Sequence, residues 1–585
     1  MIAASKTKVA SPAKGRGQTF VPQRGAFVVY GLLGILSVIT VLPMLILVIG
    51  SFLSTPPRAL RIDFSGLTLK NYLTIFADPT TIAFLGDTLT AACLGTAGAT
   101  VIGFALAWLT ERTDVPLRRA IDKITILPML IPPLVAAFAW DLLASPRTGI
   151  LNILAKSLGL PAILNLYTVG GISFLFAIYY APYAFLMIAA ALRNFDPSLE
   201  EAAAICGASR LRAFAIVVGP LIAPTLLSVV LLIFVFLIEI FAIPAVLGEP
   251  GNLPFLSVRI WELIGFAPPR INEASALGVL MLVITVTLIF CQIFLLRRRS
   301  FVTITGKSTR REPIGLRSWR WPAGFAVLIY FLLVVALPYL ALIIVSFRNN
   351  IFFFSLASLF DPSQFSLTQV ETTLSDPVVA LSLKNSLIVA ISTVIIGTSL
   401  YFSIAYVVTK TRLRGRRALD FVAMLPLALP GMVIGLGYLW TWISVPIGVY
   451  GTIWVIVIAY ISQFSPQAVR SISASLVQIH PELEESARVC GGGFLYTLRR
   501  VVAPLASPGV RSAAILLIIF SFREISTAIF LYTSDTQVFS VTMFDYWVQQ
   551  TTGSVAVMTL LQSVVLLAVI LIGERIGGGS RVAVR

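Results

Sequence analysis

Leu192 to Pro224 reads LRNFDPSLEEAAAICGASRLRAFAIVVGPLIAP, and Leu476 to Pro508 reads LVQIHPELEESARVCGGGFLYTLRRVVAPLASP. Laid side by side without a gap, they share Pro197/Pro481, Leu199/Leu483, Glu200/Glu484, Glu201/Glu485, Ala203/Ala487, Cys206/Cys490, Gly207/Gly491, Pro220/Pro504 and Pro224/Pro508. Local physics explains much of the pattern. Asp196 suits a helix N-cap and Pro197 the first helical position. Glu200 and Glu201 fall in the first turn, where the helix dipole favours anions. Gly207 then ends a short helix, because glycine accepts the left-handed conformation needed there. A second short amphipathic helix is expected to follow, with Arg210 and Arg212 in one copy and Arg499 and Arg500 in the other, before Pro220 and Pro504 mark the return into the membrane. Two ordinary loops with good caps would account for the caps, but not for so long a gapless match.

Outward from these loops the chain is apolar. Of 585 residues, 58% are hydrophobic and 12% charged, and the mean hydropathy is +0.94. Apolar runs of bilayer-crossing length recur, and the short alternating segments of a transmembrane barrel are absent. The fold class is an all-α polytopic membrane protein with about twelve transmembrane helices. Spans are expected near 26–53, 82–110, 122–143, 168–192, 222–247 and 274–296, then near 322–347, 385–409, 419–443, 447–468, 509–533 and 555–574. This divides the chain into a basic N-terminal tail (1–25), a first six-helix half (26–296, loop 194–221), a basic linker (297–321), a second half (322–574, loop 478–507) and a short tail (575–585). With the N-terminus inside, Lys and Arg are several times commoner on cytoplasmic segments than outside, while acidic residues divide nearly evenly. Both tails, the linker and both loops are therefore expected in the cytoplasm.

The repeat extends beyond the loops. Trp108 to Pro133, WLTERTDVPLRRAIDKITILPMLIPP, matches Tyr406 to Gly431, YVVTKTRLRGRRALDFVAMLPLALPG, through Arg118/Arg416, Arg119/Arg417, Ala120/Ala418, Asp122/Asp420, Pro128/Pro426 and Pro132/Pro430. Two halves in the same direction should be related by an axis along the membrane normal. The paired prolines should kink spans 3 and 9, either as packing features or as part of a pathway lining.

The net charge of +17 does not indicate nucleic-acid binding, since the basic residues sit in short loops between spans. Cys93, Cys206, Cys291 and Cys490 form no CxxC pair, and His480 is the sole histidine, so no metal cluster or His-based catalytic centre is expected. The run after Lys6, Lys8, Lys14, Arg16 and Arg24 is too long for a signal-peptide core and reads as an uncleaved first span. Gly306-Lys307-Ser308 resembles the end of a P-loop, but Phe301 stands where glycine is required, so ATP is not expected to bind this chain.

Few ionisable residues lie within spans, where charge is costly and faces a cavity or a partner. Glu239 aligns with Glu524 after a one-residue slip, and Arg523 precedes Glu524. Two readings are open: these groups line a pathway on spans 5 and 11, or Arg523 pairs with a carboxylate and fixes helix packing. Asp87 aligns with Asn385 ahead of Thr88 and Ser386, which reads as helix capping. Cys206 and Cys490 read as small residues packed at the short loop helix, and His480 as a surface residue.

The loops resemble the EAA motif of ABC-importer permeases: Glu-Ala-Ala, three residues, Gly, nine residues, Ile, one residue, Leu-Pro. Glu201-Ala202-Ala203, Gly207, Val217 and Pro220 match in the first copy. Glu485-Ser486-Ala487, Gly491, Val501 and Pro504 match in the second. Val replaces Ile in both, Gly219 and Ala503 replace Leu, and Ser486 replaces Ala. The resemblance covers both halves and implies the type I importer (MetI-like) fold. It also implies coupling helices that dock into two copies of a separate ATPase, which uses ATP and Mg, and a periplasmic or lipid-anchored binding protein on the outer face of the bacterial inner membrane. Fused two-motif chains are most similar to the ferric-iron permease group, with the likeness strongest in FSFREISTAIFLYTSDTQVFSVTMFDYW, Phe520 to Trp547, and weaker in FLIEIFAIPAVLGEPGNLPFLSVRIW, Phe236 to Trp261. Related groups carry thiamine, polyamines, aminoethylphosphonate or sugar phosphates.

Other classes make different demands. An ion-coupled secondary transporter would work alone and has no use for two docking loops. A membrane enzyme would need a nucleophile, acid–base or metal constellation, which this sequence lacks.

Overall fold

The computed structural model describes residues 25–58, 66–161, 164–193, 198–253, 255–297, 314–349, 355–445 and 447–576. The basic N-terminal tail, Asp196 and Pro197, the P-loop-like Gly306–Ser308 and the last nine residues lie outside these. Among the described residues, nine helices are long and apolar enough to cross a membrane: Phe27–Ser51, Pro79–Arg112, Val169–Arg193, Phe214–Glu239, Ile271–Leu295, Arg317–Ser346, Pro377–Lys410, Phe494–Arg523 and Thr552–Gly573. The other three expected spans are broken. Ala120–Leu130 and Pro133–Ala144 meet at 95°, and Arg416–Ala428 and Gly431–Ser444 at 109°. Ile453–Gln463 is short, and Ser465–Gln478 continues it beyond Phe464.

The prolines of spans 3 and 9 thus do more than kink. Pro128 and Pro426 open 3-10 turns, Leu127–Leu130 and Leu425–Ala428, and Pro132 and Pro430 then sit in extended backbone where a new helix begins. With no N–H to donate, each proline suits a helix start and not its interior. Pro182 is carried inside the intact Val169–Arg193 helix, whereas its counterpart Pro466 stands just after the break at Phe464.

The expected second short helix of each loop is not a separate element. Arg210–Ala213 runs through a π-turn, Phe214–Val218, straight into Gly219–Glu239. Phe494–Thr497 runs likewise through Leu498–Val502 into Ala503–Arg523. Pro220 and Pro504 therefore mark no break, because the wide turn before each absorbs the missing donor.

The halves embrace through their first spans. Phe27–Ser51 packs on the second half: Tyr438 donates its hydroxyl to the Ile39 carbonyl, and the Thr40 and Ser462 hydroxyls meet at 2.9 Å. Gly437 permits this approach, since a Cβ there would lie 2.8 Å from the Pro43 carbonyl oxygen. Arg317–Ser346 reciprocates on the first half, with Tyr330 donating to the Ile178 carbonyl at 2.9 Å and Tyr179 to that of Val334 at 3.1 Å. One buried apolar core runs through both halves, while Leu94, Val101, Val283 and Ile395 face outward, as a lipid solvent allows. The end of the linker is pinned to the first half: Ile314 donates its N–H to the Arg112 carbonyl at 2.8 Å, and Leu316 to the Asp114 carboxylate at 2.8 Å.

Asp87, Thr88, Asn385 and Ser386 do not cap helices. They lie well inside Pro79–Arg112 and Pro377–Lys410, whose N-caps are Asp78 and Asp376. The Thr88 and Ser386 hydroxyls accept the N–H groups of Leu256 and Phe539 at 2.9 and 2.8 Å. The Asn385 amide donates to the carbonyls of Asp535 and Gln537 at 2.9 and 3.0 Å.

Candidate functional site

Each loop is a short helix closed by a left-handed glycine. In the first, Ser198–Ile205 ends with the Cys206 N–H on the Ala202 carbonyl and the Ala208 N–H on that of Ala203, both 3.0 Å, and Gly207 has φ +82°. In the second, Pro481–Val489 ends with the Gly492 N–H on the Ala487 carbonyl at 2.9 Å, and Gly491 has φ +85°. The alignment of the two sequences thus holds in three dimensions.

The two glutamates of each loop part company. Glu200 turns back to Arg112, the last residue of Pro79–Arg112, with Nη1 to Oε1 at 2.9 Å. Glu484 is buried and meets Lys410, the last residue of Pro377–Lys410, at 3.5 Å, and it accepts the Tyr406 hydroxyl at 3.1 Å. Lys410 also donates to the Ile479 carbonyl at 2.5 Å. Glu485 is exposed; the side chain of Glu201 is not among those described. The outward face is apolar: Ile205 and Val489, at equivalent positions, are 87% and 89% exposed, flanked by Leu199 and Leu483. Cys206 and Cys490 are exposed rather than packed. So is His480, whose Nδ1 lies 3.5 Å from Glu482. In the first half, Arg193 adds contacts to Glu111 at 2.7 Å and Asp122 at 3.6 Å, and Arg118 meets Glu111 at 3.1 Å.

The second candidate feature is a cavity of about 310 Å³ between the halves. Tyr180, Tyr183, Phe236 and Glu239 line it from one half, and Gln463, Gln467, Phe520, Arg523 and Glu524 from the other. Glu239 ends the helix Phe214–Glu239 and Arg523 ends Phe494–Arg523, so the fold equates Glu239 with Arg523 and Glu524 with Ile240. The slipped pairing of Glu239 with Glu524 is corrected accordingly: a carboxylate in one half stands where the other has a guanidinium.

These three charges are held differently. Glu524 Oε1 accepts the Thr527 N–H at 3.0 Å. Gly431 lets this turn fit, because a Cβ there would lie 3.3 Å from that oxygen and 3.1 Å from Gln463 Nε2. Arg523 Nη1 donates at 2.5 Å to the Met129 carbonyl of the opposite half, so it secures the half–half contact through backbone. Glu239 Oε1 is buried with no hydrogen-bond partner among the described residues. A partnerless carboxyl oxygen is costly; Gln467 Oε1, which lines the cavity from the other half, is likewise buried with no hydrogen-bond partner among the described residues. No group of three or more His, Cys, Asp or Glu among the described residues could hold a metal ion.

Sequence reasoning did not single out Arg112 and Lys410. Their signal was present: both stand four residues after the matched aromatic positions Trp108 and Tyr406.

The family described as "Binding-protein-dependent transport system inner membrane component" matches residues 99–301 and again 402–577. A putative ferric transport system permease protein of Haemophilus influenzae, FbpB 1, is 28% identical over 76% of this chain and 69% of its own length. The ferric transport system permease protein FbpB of Actinobacillus pleuropneumoniae is 28% identical over 83% of this chain and 69% of its own. A probable ABC transporter permease protein of Sinorhizobium fredii, y4fN, is 28% identical over 85% of this chain and 88% of its own.

Proposed function

The chain belongs to the binding-protein-dependent transport system inner membrane components, as two fused ABC-importer permease halves in the bacterial inner membrane, and we propose that it imports ferric iron, driven by two copies of a separate ATPase. The pair of loops carries this reading. Each presents an exposed apolar residue, Ile205 or Val489, on a short helix whose other side is tied into the membrane body. Glu200, Glu201, Ala202, Ala203, Gly207 and Pro220, with Glu484, Glu485, Ala487, Gly491 and Pro504, form the two docking elements. Both loops and both termini face the cytoplasm. ATP and Mg belong to the ATPase, whose closure switches the permease between outward-facing and inward-facing states as a rigid-body change.

Iron as cargo is supported by the names of two relatives and by the free carboxyl oxygen of Glu239 on the cavity wall. Two carboxylates beside a guanidinium supply too few ligands to retain a trivalent cation. That suits transit, with selectivity left to a periplasmic or lipid-anchored binding protein. Arg523 and Glu524 shape the path more than they touch the cargo.

The test is uptake of radioactive Fe³⁺ by cells carrying the transporter, with thiamine, a polyamine, aminoethylphosphonate and a sugar phosphate as parallel cargoes. Glu201→Lys combined with Glu485→Lys is expected to abolish uptake and weaken ATPase co-purification while the chain still reaches the membrane. Normal uptake in that double variant would sink the docking claim. ATP-dependent uptake of another cargo, without iron, would replace the substrate. Uptake without the ATPase would point to an ion-coupled transporter.

A further inference from the structure

The second span of each half is a single helix of 34 residues, Pro79–Arg112 or Pro377–Lys410, about 51 Å long at 1.5 Å per residue. At one end its terminal cation holds the loop helix: Arg112 on Glu200 at 2.9 Å, Lys410 on Glu484 at 3.5 Å. About 36 Å away, a hydroxyl on the same helix holds a segment that continues to the cavity wall. Thr88 accepts the Leu256 N–H at 2.9 Å, and the next residue, Ser257, donates to the Ile240 carbonyl at 2.9 Å, beside Glu239. Ser386 accepts the Phe539 N–H at 2.8 Å, and Ser540 donates to the Glu524 carbonyl at 2.7 Å.

We propose that these two helices are the rods that carry loop movement to the cavity, with Arg112 and Lys410 at one end, and Thr88 and Ser386 about 36 Å along, as the positioning residues. The same contacts recur in both halves although the residue types differ, arginine for lysine and threonine for serine. What is repeated is therefore the mechanical connection. An unbroken helix has all its backbone bonds internal and moves as one body. Its ties are buried or half-buried, where polar contacts are strong and hard to exchange for water. When the loop helix shifts in the ATPase cleft, its glutamate draws the cation along, and the hydroxyl farther along the rod moves the backbone beside Glu239 or Glu524.

This inference rests on the importer reading, and its test separates the two. The full transporter with its ATPase is placed in proteoliposomes, with the native cysteines replaced by serine and spin labels at positions 265 and 549. These exposed sites lie at the ends of the segments the rods hold. The label distance is compared with and without ATP and vanadate, and Fe³⁺ uptake is divided by ATP hydrolysed. The unaltered transporter should show an ATP-dependent distance change. Arg112→Gln with Lys410→Met should lose it, with uptake per ATP falling about tenfold, within the usual range of site–site coupling. Exchanging the charges, Glu200→Arg with Arg112→Glu, should restore the first half. Should the neutral variants fail to assemble, Thr88→Ala with Ser386→Ala breaks the same line farther along the rod and should give the same loss. A normal distance change in either double variant overturns the rod proposal alone. An unaltered transporter that neither binds the ATPase nor responds to ATP overturns the importer reading.

Discussion

Gly207 and Gly491 show how much one backbone angle decides. Both hold φ above +80°, and nothing lies within 4 Å of a Cβ built on either. A side chain there meets no neighbour, so the cost of Gly207→Ala or Gly491→Ala is backbone strain alone, about 1–2 kcal/mol. Asparagine, which tolerates this region better, should cost less. Uptake per ATP is thus expected to fall in the order Gly, Asn, Ala at each site, and equal values for glycine and alanine would refute the conformational argument. These glycines were legible in the sequence because a short helix with acidic residues at its start must end, and glycine ends it. The partners of Glu200 and Glu484 were less so. A dipole argument accounts for an acid at a helix start without revealing which cation, Arg112 or Lys410 far earlier in the chain, folds back onto it. Nor could a linear alignment decide whether Glu239 matches Glu524 or Arg523. The helix ends decide it, and they place the unpartnered carboxyl oxygen opposite a guanidinium.

Among elements, the described residues include four π-turns: Ser37–Val41, Phe214–Val218, Leu332–Ala336 and Leu498–Val502. In each, the next residue closes the wide turn with an N–H bond five residues back, and a proline follows it: Pro43, Pro220, Pro338 and Pro504. A proline inside a helix lacks a donor and crowds the carbonyl four residues before it; widening the turn by one residue relieves both. Pro220→Ala with Pro504→Ala should let these turns tighten to regular α-helix. That removes one residue from the register and rotates each loop helix by about 100° relative to its span. The expected result is a thermal midpoint no lower than that of the unaltered protein, together with reduced uptake per ATP; unchanged coupling would show that the turns do not set the orientation of the loops. The sequence placed these prolines at membrane boundaries because periodicity cannot distinguish a wide turn from an interruption. It located the spans themselves well, since apolar length is a strong signal. It understated the breaks in spans 3 and 9 because Arg118–Ile126 and Arg416–Met424 carry charges, and averaging them with the apolar segments that follow hides a bend of 95° or 109°.

At the scale of the molecule, the repeat specifies two halves but not how they hold each other. Each first span bridges the halves: it packs on the other half while staying tied to its own, through Asn272 on the Leu53 carbonyl at 2.7 Å and Tyr339 on Ser563 at 3.0 Å, an arrangement that apolar pattern cannot announce, since a helix reads the same whichever partner covers it. The contacts are specific. Tyr438 reaches the Ile39 carbonyl, Trp440 Nε1 donates to Ser275 at 2.6 Å, and Tyr330 reaches the Ile178 carbonyl at 2.9 Å. All lie within one continuous apolar core. In lipid, where apolar surface alone gives helices little reason to associate, such packing and hydrogen bonds supply the association. The covalent link then adds chiefly effective concentration. Splitting the chain after residue 305 and co-expressing both pieces should therefore give halves that co-purify and restore uptake, whereas either half alone, with the bridging face of its first span uncovered, should be degraded or aggregate. If the halves purify separately, assembly depends on the linker. If they co-purify without uptake, the pinning of Ile314 and Leu316 beside Arg112 is what the cut has disturbed, and extending the first piece to residue 318 should then recover activity.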